Sequence, residues 1–328
     1  MLALSTQALS GDTDLQATMK SAVQFFITTL AAAMGLTMVG CGGGGNGSDV
    51  TVIPKTVTVV ASGLNGAKHM VFSGGNLFVA VQDSGLIKNI TTGQVFFQDN
   101  TNTLEPIGLT VNGSDLIWTS STDGIYKNTT NVISGGNWYG LGILNQRLYA
   151  AGNSPSQILT YYISDPNPAN VDFSQVDAGS IPTRTITEGS VQGIGVFGSD
   201  IYVTVTNSGI PNNNVVIKLS TSSAPYYQVM SSWGIFSQPN AIVFDGNYAY
   251  IANYGTAGTG DGGYISRKYM LDNSPAERYM DATKGNWGNL TPGFCGLAGL
   301  AVSNGYLYAS NGSCSSGSNA GSILKIKL

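Results

Sequence analysis

Between residues 55 and 328, one pattern of apolar and polar positions recurs six times. Each copy has an apolar run, a turn, and a second run of apolar and aromatic residues. Short runs of alternating apolar positions predict half-buried strands, and turns such as Asn304-Gly305 supply the positive φ of a tight hairpin. The first runs begin with a small residue or a histidine, at His69, Gly108, Gly140, Gly193, Ala241 and Gly299. The second runs begin 32 to 58 residues apart, at Leu77, Leu116, Leu148, Ile201, Ala249 and Leu307.

This spacing is typical of a β-propeller, in which four-stranded blades surround a central channel. Outer strands are predicted at 94–97, 131–133, 226–230 and 277–280. The last copy ends with its third strand, 322–328, and Lys55–Ala61 is a strand without a hairpin of its own. Pairing these two strands would close the ring and leave no long sheet edge open. The sequence therefore predicts an all-β fold, a six-bladed β-propeller over residues 55–328 closed by the N-terminal strand.

The fifth copy, residues 237–253, reads SQPNAIVFDGNYAYIAN and resembles both the NHL-type repeat and the repeats of gluconolactonase/paraoxonase-type propellers. In the gluconolactonase group, the residue before each small position points into an axial mouth, where Glu, Asn and Asp hold Ca²⁺ or Zn²⁺. The equivalent positions are Lys68, Ile107, Tyr139, Gln192, Asn240 and Ala298. Only Asn240 fits that ligand set, and Glu105 comes two residues early, so we expect Glu105 to point elsewhere.

Charged residues are sparse: they make up 10% of the chain, with 14 Lys and Arg against 18 Asp and Glu. A nucleic-acid partner is not expected, because no basic cluster is available to neutralise phosphates. A hard cation requires several oxygen ligands that include carboxylates, and the predicted mouth lacks them. The sequence thus predicts no cofactor, although a structural Ca²⁺ in the channel stays open.

His69 is the single histidine of the chain, and no Gly-x-Ser-x-Gly elbow accompanies it. One interpretation is a hydrogen-bonded core histidine. The other is that His69 joins Lys68, Tyr139, Gln192 and Asn240 in a polar ring at one axial mouth, which would bind a neutral or anionic group.

Residues 1–40 are predicted to form a secretory signal. The stretch 21–40 is uncharged, follows Lys20 and ends in small residues. An uncleaved transmembrane anchor is the alternative, since its length would also suffice to span a bilayer. Asp12 and Asp14 are unusual in a signal, and translation from Met19 would remove them.

Met38-Val39-Gly40-Cys41 resembles the lipobox of bacterial lipoproteins. The resemblance implies that Cys41 carries the lipid and becomes the mature N-terminus, with residues 41–54 as a glycine-rich tether. Gly42, where an Asp would imply retention at the inner membrane, implies the outer membrane.

Two further cysteines, Cys295 and Cys314, flank the Asn304-Gly305 turn. Exported proteins meet an oxidising environment. Counted from a two-residue turn, these positions face each other, provided that no bulge shifts the register. We predict a disulfide between them.

These patterns together predict an exported, membrane-anchored lipoprotein of the bacterial cell envelope or cell surface. Its propeller would be a non-catalytic binding or scaffolding module, with the membrane as one partner and a protein, small molecule or glycan as the other. The alternative that the resemblance implies is a metal-dependent lactonase- or esterase-like hydrolase.

Overall fold

The computed structural model describes the greater part of the chain from residue 55 onward: 55–101, 103–153, 156–162, 184–185, 189–206, 214–220, 227–234, 236–255, 263–288, 293–294, 296–312 and 321–328. The segment Ile53–Leu328 forms one compact unit. Residues 1–54, with the predicted signal, Cys41 and the tether, lie outside the described residues. Within the described ranges, no helix is long and apolar enough to cross a membrane.

Within the part of the chain that the structure describes, five sheets are four-stranded, and in each the strands follow one another in chain order. Sheet 1 contains β2 (Ala67–Ser73), β3 (Asn76–Val81), β4 (Leu86–Asn89) and β5 (Val95–Gln98). Sheet 2 contains β6 (Pro106–Asn112), β7 (Asp115–Ser120), β8 (Ile125–Lys127) and β9 (Thr130–Ile133). Sheet 3 contains β10 (Trp138–Leu144), β11 (Arg147–Asn153), β12 (Ser156–Tyr162) and β13 (Arg184–Thr185).

The next two sheets repeat the arrangement. Sheet 4 contains β14 (Ser190–Phe197), β15 (Asp200–Thr206), β16 (Val215–Ser220) and β17 (Tyr227–Val229). Sheet 5 contains β18 (Pro239–Asp245), β19 (Tyr248–Asn253), β20 (Tyr264–Tyr269) and β21 (Glu277–Met280). The helical segments among the described residues are two single 3₁₀ turns, Gln82–Ser84 and Ser231–Trp233.

The closing sheet unites the two ends of the propeller. Its strands are β23 (Leu297–Ser303), β24 (Tyr306–Asn311), β25 (Ser322–Lys327), β1 (Lys55–Ala61) and β22 (Gly285–Asn286). Strand β1 pairs antiparallel with β25, Val57 opposite Ile326, as predicted for the N-terminal closing strand. On its other side β1 pairs in parallel with the two-residue β22.

The innermost strands surround a common axis. They contact one another in the closed order β2, β6, β10, β14, β18, β23 and again β2. One apolar cluster fills each space between neighbouring sheets. Between sheets 1 and 2, for example, the fully buried Trp118 stacks on Tyr126 at a centroid distance of 4.1 Å. Side chains on both faces of each sheet are thus buried, which explains the long apolar runs of the sequence.

The predicted all-β propeller is confirmed, and the predicted outer strands at 277–280 and 131–133 correspond to β21 and β9. The blade description is corrected in one respect: five sheets are regular four-stranded blades, rather than six. The remaining sheet has five strands because β22 adds to β1. A two-residue parallel pairing leaves no periodic signal in a sequence, so it escaped prediction.

Candidate functional site

A bulge near the start of each innermost strand builds the candidate site. The register of every first hairpin shifts at this point, for example between Ala67 and Met70 in β2 and between Val191 and Ile194 in β14. The other four shifts occur in β6, β10, β18 and β23. Since a β-bulge redirects the side chains next to it, six equivalent bulges give six equivalent positions a new orientation at one end of the axis.

The bulge positions line one polar cavity of about 140 Å³. Its lining consists of Lys68, His69, Gln82, Ile107, Tyr139, Gln192, Asn240 and Ala298. The structure thus brings together all five residues of the predicted polar ring, which come from sheets 1, 3, 4 and 5. Gln82 was not predicted, because it belongs to the 3₁₀ turn after β3 and not to an innermost strand.

Lys68 supplies the positive charge of this cavity. Burial lowers the pKa of its ammonium group, while the carboxylates of Asp83 and Glu105 raise it again. Among the described residues, the lining itself contains no carboxylate. The cavity therefore combines one cation with the amides of Gln82, Gln192 and Asn240 and the phenol of Tyr139.

Glu105 lies behind the cavity rather than in its lining, in agreement with the expectation that it points elsewhere. Gln82 Nε2 donates a hydrogen bond of 2.7 Å to Glu105 Oε2, and the Ser121 hydroxyl donates to the same oxygen. These hydrogen bonds lower the pKa of Glu105, so it is ionised at neutral pH. Glu105 thus positions the Gln82 amide and adds negative charge near Lys68.

His69 in β2 forms a hydrogen bond to another innermost strand, β18. Its imidazole N–H donates to the backbone carbonyl of Asn240, and the Asn240 amide donates in turn to the Leu297 carbonyl at 3.4 Å. Burial, together with the nearby Lys68, lowers the pKa of His69 to about 4, against the opposing effect of that hydrogen bond. His69 is therefore neutral at pH 7.

A second cavity of about 400 Å³ continues along the axis. Its side chains are almost all aliphatic and include the residue after the small position in every copy: Met70, Leu109, Leu141, Ile194, Ile242 and Leu300. His69 belongs to both linings. We refer to the two spaces as the polar cavity and the apolar channel.

Glycines at the small positions allow neighbouring innermost strands to approach closely. A Cβ at Gly108 would lie 1.9 Å from the Tyr139 carbonyl oxygen, and one at Gly193 would lie 2.6 Å from the Asn240 carbonyl oxygen. In three copies a hydroxyl of the second strand accepts the glycine N–H: Thr119 for Gly108, Thr204 for Gly193 and Ser310 for Gly299. These N–H groups are buried, so the hydroxyl satisfies a donor that the bulge leaves unpaired.

Several predicted site residues remain untested. Cys41, Cys295 and Cys314 lie outside the described residues. The register argument for the disulfide assumed a hairpin without a bulge, whereas the described pairs Leu297–Asn311 and Gly299–Ser310 contain one. The bulge at Ala298 moves the register by one residue on the side toward Cys295. Among the residues that the structure describes, no three His, Cys, Asp or Glu side chains cluster in a way that could hold a metal ion.

Fold and cavity define the class as a β-propeller with a polar axial mouth. No known protein family and no curated protein matches the sequence. Solved structures do resemble the fold. A protein described as an oxidoreductase (glucose dehydrogenase) from Thermus thermophilus has a TM-score of 0.56 at 12% identity, covering 83% of this chain and 99% of its own.

Two further solved structures are similar to this chain. The PQQ-bound aldose sugar dehydrogenase of Streptomyces coelicolor has a TM-score of 0.53 at 13% identity, covering 83% of this chain and 98% of its own. The β-propeller domain of Cps50 (Swd1) from Myceliophthora thermophila has a TM-score of 0.47 at 11% identity, over 80% and 83%. At such identities the likeness concerns the propeller fold.

Proposed function

We propose that this chain is a non-catalytic binding module whose β-propeller takes a small anionic or neutral polar group into the polar cavity. The observation that carries the proposal is the meeting of Lys68, His69, Tyr139, Gln192 and Asn240 in one cavity. Four sheets contribute these side chains, and a packed core of mostly aliphatic residues does not require them there.

The chemistry of the lining favours an oxygen-rich group such as a carboxylate. Lys68 offers an ammonium, and Gln82, Gln192 and Asn240 offer amide donors and acceptors. Charge-assisted hydrogen bonds to a carboxylate are stronger than neutral ones. Because Asp83 and Glu105 lie near Lys68, the site has little net charge, and a neutral hydroxyl-rich group fits as a second ligand chemistry.

Export and anchoring form the second part of the proposal. The lipobox-like segment ending at Cys41 supports a lipid anchor in the bacterial cell envelope, with the outer membrane favoured by Gly42. The closing sheet would act as a sixth blade, and a disulfide between Cys295 and Cys314 would secure it. A rigid propeller on a glycine-rich tether suits the capture of a small molecule, a glycan or a protein near the membrane.

An enzyme of the same fold is the competing interpretation, since the resembling structures include sugar dehydrogenases. For a metal-dependent hydrolase, the lining offers amides and one cation rather than carboxylates. For a PQQ-dependent dehydrogenase, the carboxylates of that cofactor would meet Lys68 as the one cation among the described residues of the cavity lining. The cavity lining therefore suits one small polar group better than it suits a metal ion or PQQ.

Calorimetric titration of the purified propeller with acetate and with glucose tests the binding proposal. Acetate should bind saturably, and Lys68→Met should weaken it at least about tenfold, the loss of one charge-assisted hydrogen bond. Lys88→Met removes a lysine from β4 of the same sheet, outside the cavity lining, and should leave the affinity unchanged. Equal loss in both variants, or no saturable binding of either probe, would contradict the proposal.

Activity assays distinguish a binding module from a hydrolase or a dehydrogenase. Lactone and ester hydrolysis with added Ca²⁺ or Zn²⁺, and aldose oxidation with added PQQ, should give no saturable turnover. Metal-dependent turnover that Asn240→Ala abolishes would support the hydrolase instead.

A further inference from the structure

His69 breaks a rule that the other five copies obey. At the equivalent position, the other innermost strands carry Gly108, Gly140, Gly193, Ala241 and Gly299. A Cβ at Gly299 would lie 2.2 Å from the Lys68 carbonyl oxygen, which shows how little space this ring of residues leaves between neighbouring strands. His69 lines both axial cavities, so its side chain faces the axis rather than this interface.

This ring separates the two axial spaces. The residue before it in each copy lines the polar cavity, and the residue after it lines the apolar channel. The glycines carry no side chain, and the methyl group of Ala241 only borders the apolar channel. His69 is consequently the one member of the ring with a side chain long enough to stand between the two spaces.

The contacts of His69 agree with a position between the polar cavity and the apolar channel. It borders both cavities, and its imidazole bonds to the carbonyl of Asn240, a residue of β18 and not of the neighbouring β6 or β23. The hydrogen bond therefore extends past the closing sheet to sheet 5.

We propose that His69 is a specificity-determining partition that closes the polar cavity at its inner end. The site then accepts compact oxygen-rich groups, of which short carboxylates are the simplest, and excludes carboxylates with a long alkyl chain. Without the imidazole, the apolar channel would continue the polar cavity and receive that chain. This inference rests on the proposed binding function.

The experiment is a comparison of unbranched carboxylates from acetate to octanoate by calorimetry, on the intact protein and on His69→Gly. The intact protein should bind acetate most tightly and hexanoate at least about tenfold more weakly. His69→Gly should reverse the order, with a gain of about fourfold for each methylene that enters the channel. His69→Ala takes its place if the glycine variant does not fold.

Ala241→Gly is the matched control, because Ala241 occupies the equivalent position in sheet 5. It should keep the preference of the intact protein for short chains. If the intact protein binds hexanoate as tightly as acetate, the partition is wrong and the proposed binding function stands. If no carboxylate binds to either protein, the proposed function fails and the partition fails with it.

Discussion

The innermost strands of sheets 1 and 4 occupy equivalent places in the fold but carry different residues at the position that packs between neighbouring strands: His69 in β2 and Gly193 in β14. In β14, Gly193 packs against the Asn240 carbonyl, and its N–H donates to Thr204 Oγ1 at 2.8 Å. In β2, His69 stands at this position, and its larger side chain is held by a hydrogen bond to the Asn240 carbonyl. The glycines of the other copies thus allow the innermost strands to pack closely, whereas His69 adds a polar, titratable side chain to the ring.

Replacing a closely packed glycine in one of the other copies should have the largest effect on stability. Gly108→Ala places a Cβ 1.9 Å from the Tyr139 carbonyl oxygen and 2.7 Å from Thr119 Oγ1, so sheets 2 and 3 must separate. We expect a loss of at least about 3 kcal/mol in the free energy of unfolding, measured in urea. Ala241→Gly, which only removes a methyl group, should cost about 1 kcal/mol. Equal losses would contradict the packing account.

Acid should destabilise the protein through His69. The pKa of His69 is about 4 in the folded protein and 6.5 in its unfolded reference, so the unfolded chain takes up the proton first. Stability should fall by about 3 kcal/mol as the pH drops from 6.5 to 4, since each pKa unit corresponds to about 1.4 kcal/mol.

His69→Gln should remove this slope in urea denaturation series collected between pH 4.5 and 7. Glu105 and Asp272, whose pKa values hydrogen bonds lower, contribute to the slope only as the pH falls toward the ordinary values of 4.5 and 3.8, where the unfolded chain takes up their protons. A slope that persists in the variant would assign the acid sensitivity to other groups.

Removing the hydroxyl that accepts the glycine N–H at a bulge should have the smallest effect on stability of the three changes. Thr204→Val leaves the buried N–H of Gly193 without its acceptor, at a cost of about 2 kcal/mol. Thr58→Val on the exposed side of β1 should change stability by less than about 0.5 kcal/mol. If the two variants are equally stable, a different acceptor serves Gly193.

Much of the fold could be predicted from residues that act locally. Alternating apolar positions and turns such as Asn304-Gly305 located the hairpins, and the unpaired strands at the two ends predicted the contact of β1 with β25. The axial register was predicted because repeats place equivalent residues at equivalent points. These signals depend on spacing along the chain and not on long-range packing.

Features that arise between distant segments escaped prediction. Gln82 reaches the cavity from a turn and is oriented by Glu105, a contact across 23 positions of the chain. The bulge at Ala298 was not predicted, although the register argument for Cys295 and Cys314 assumed a hairpin without one. The strand β22 joins β1 through two residues, too few for a periodic pattern.

The central claim is that a ligand in the polar cavity lies against a neutral, buried imidazole. Because His69 is the only histidine of the chain, its ring protons can be assigned directly in an NMR pH titration. The account predicts a pKa of about 4 for His69 in the free protein and a higher value with saturating acetate, since a nearby anion favours the charged imidazole. A pKa near 6.5 that does not respond to acetate would contradict it.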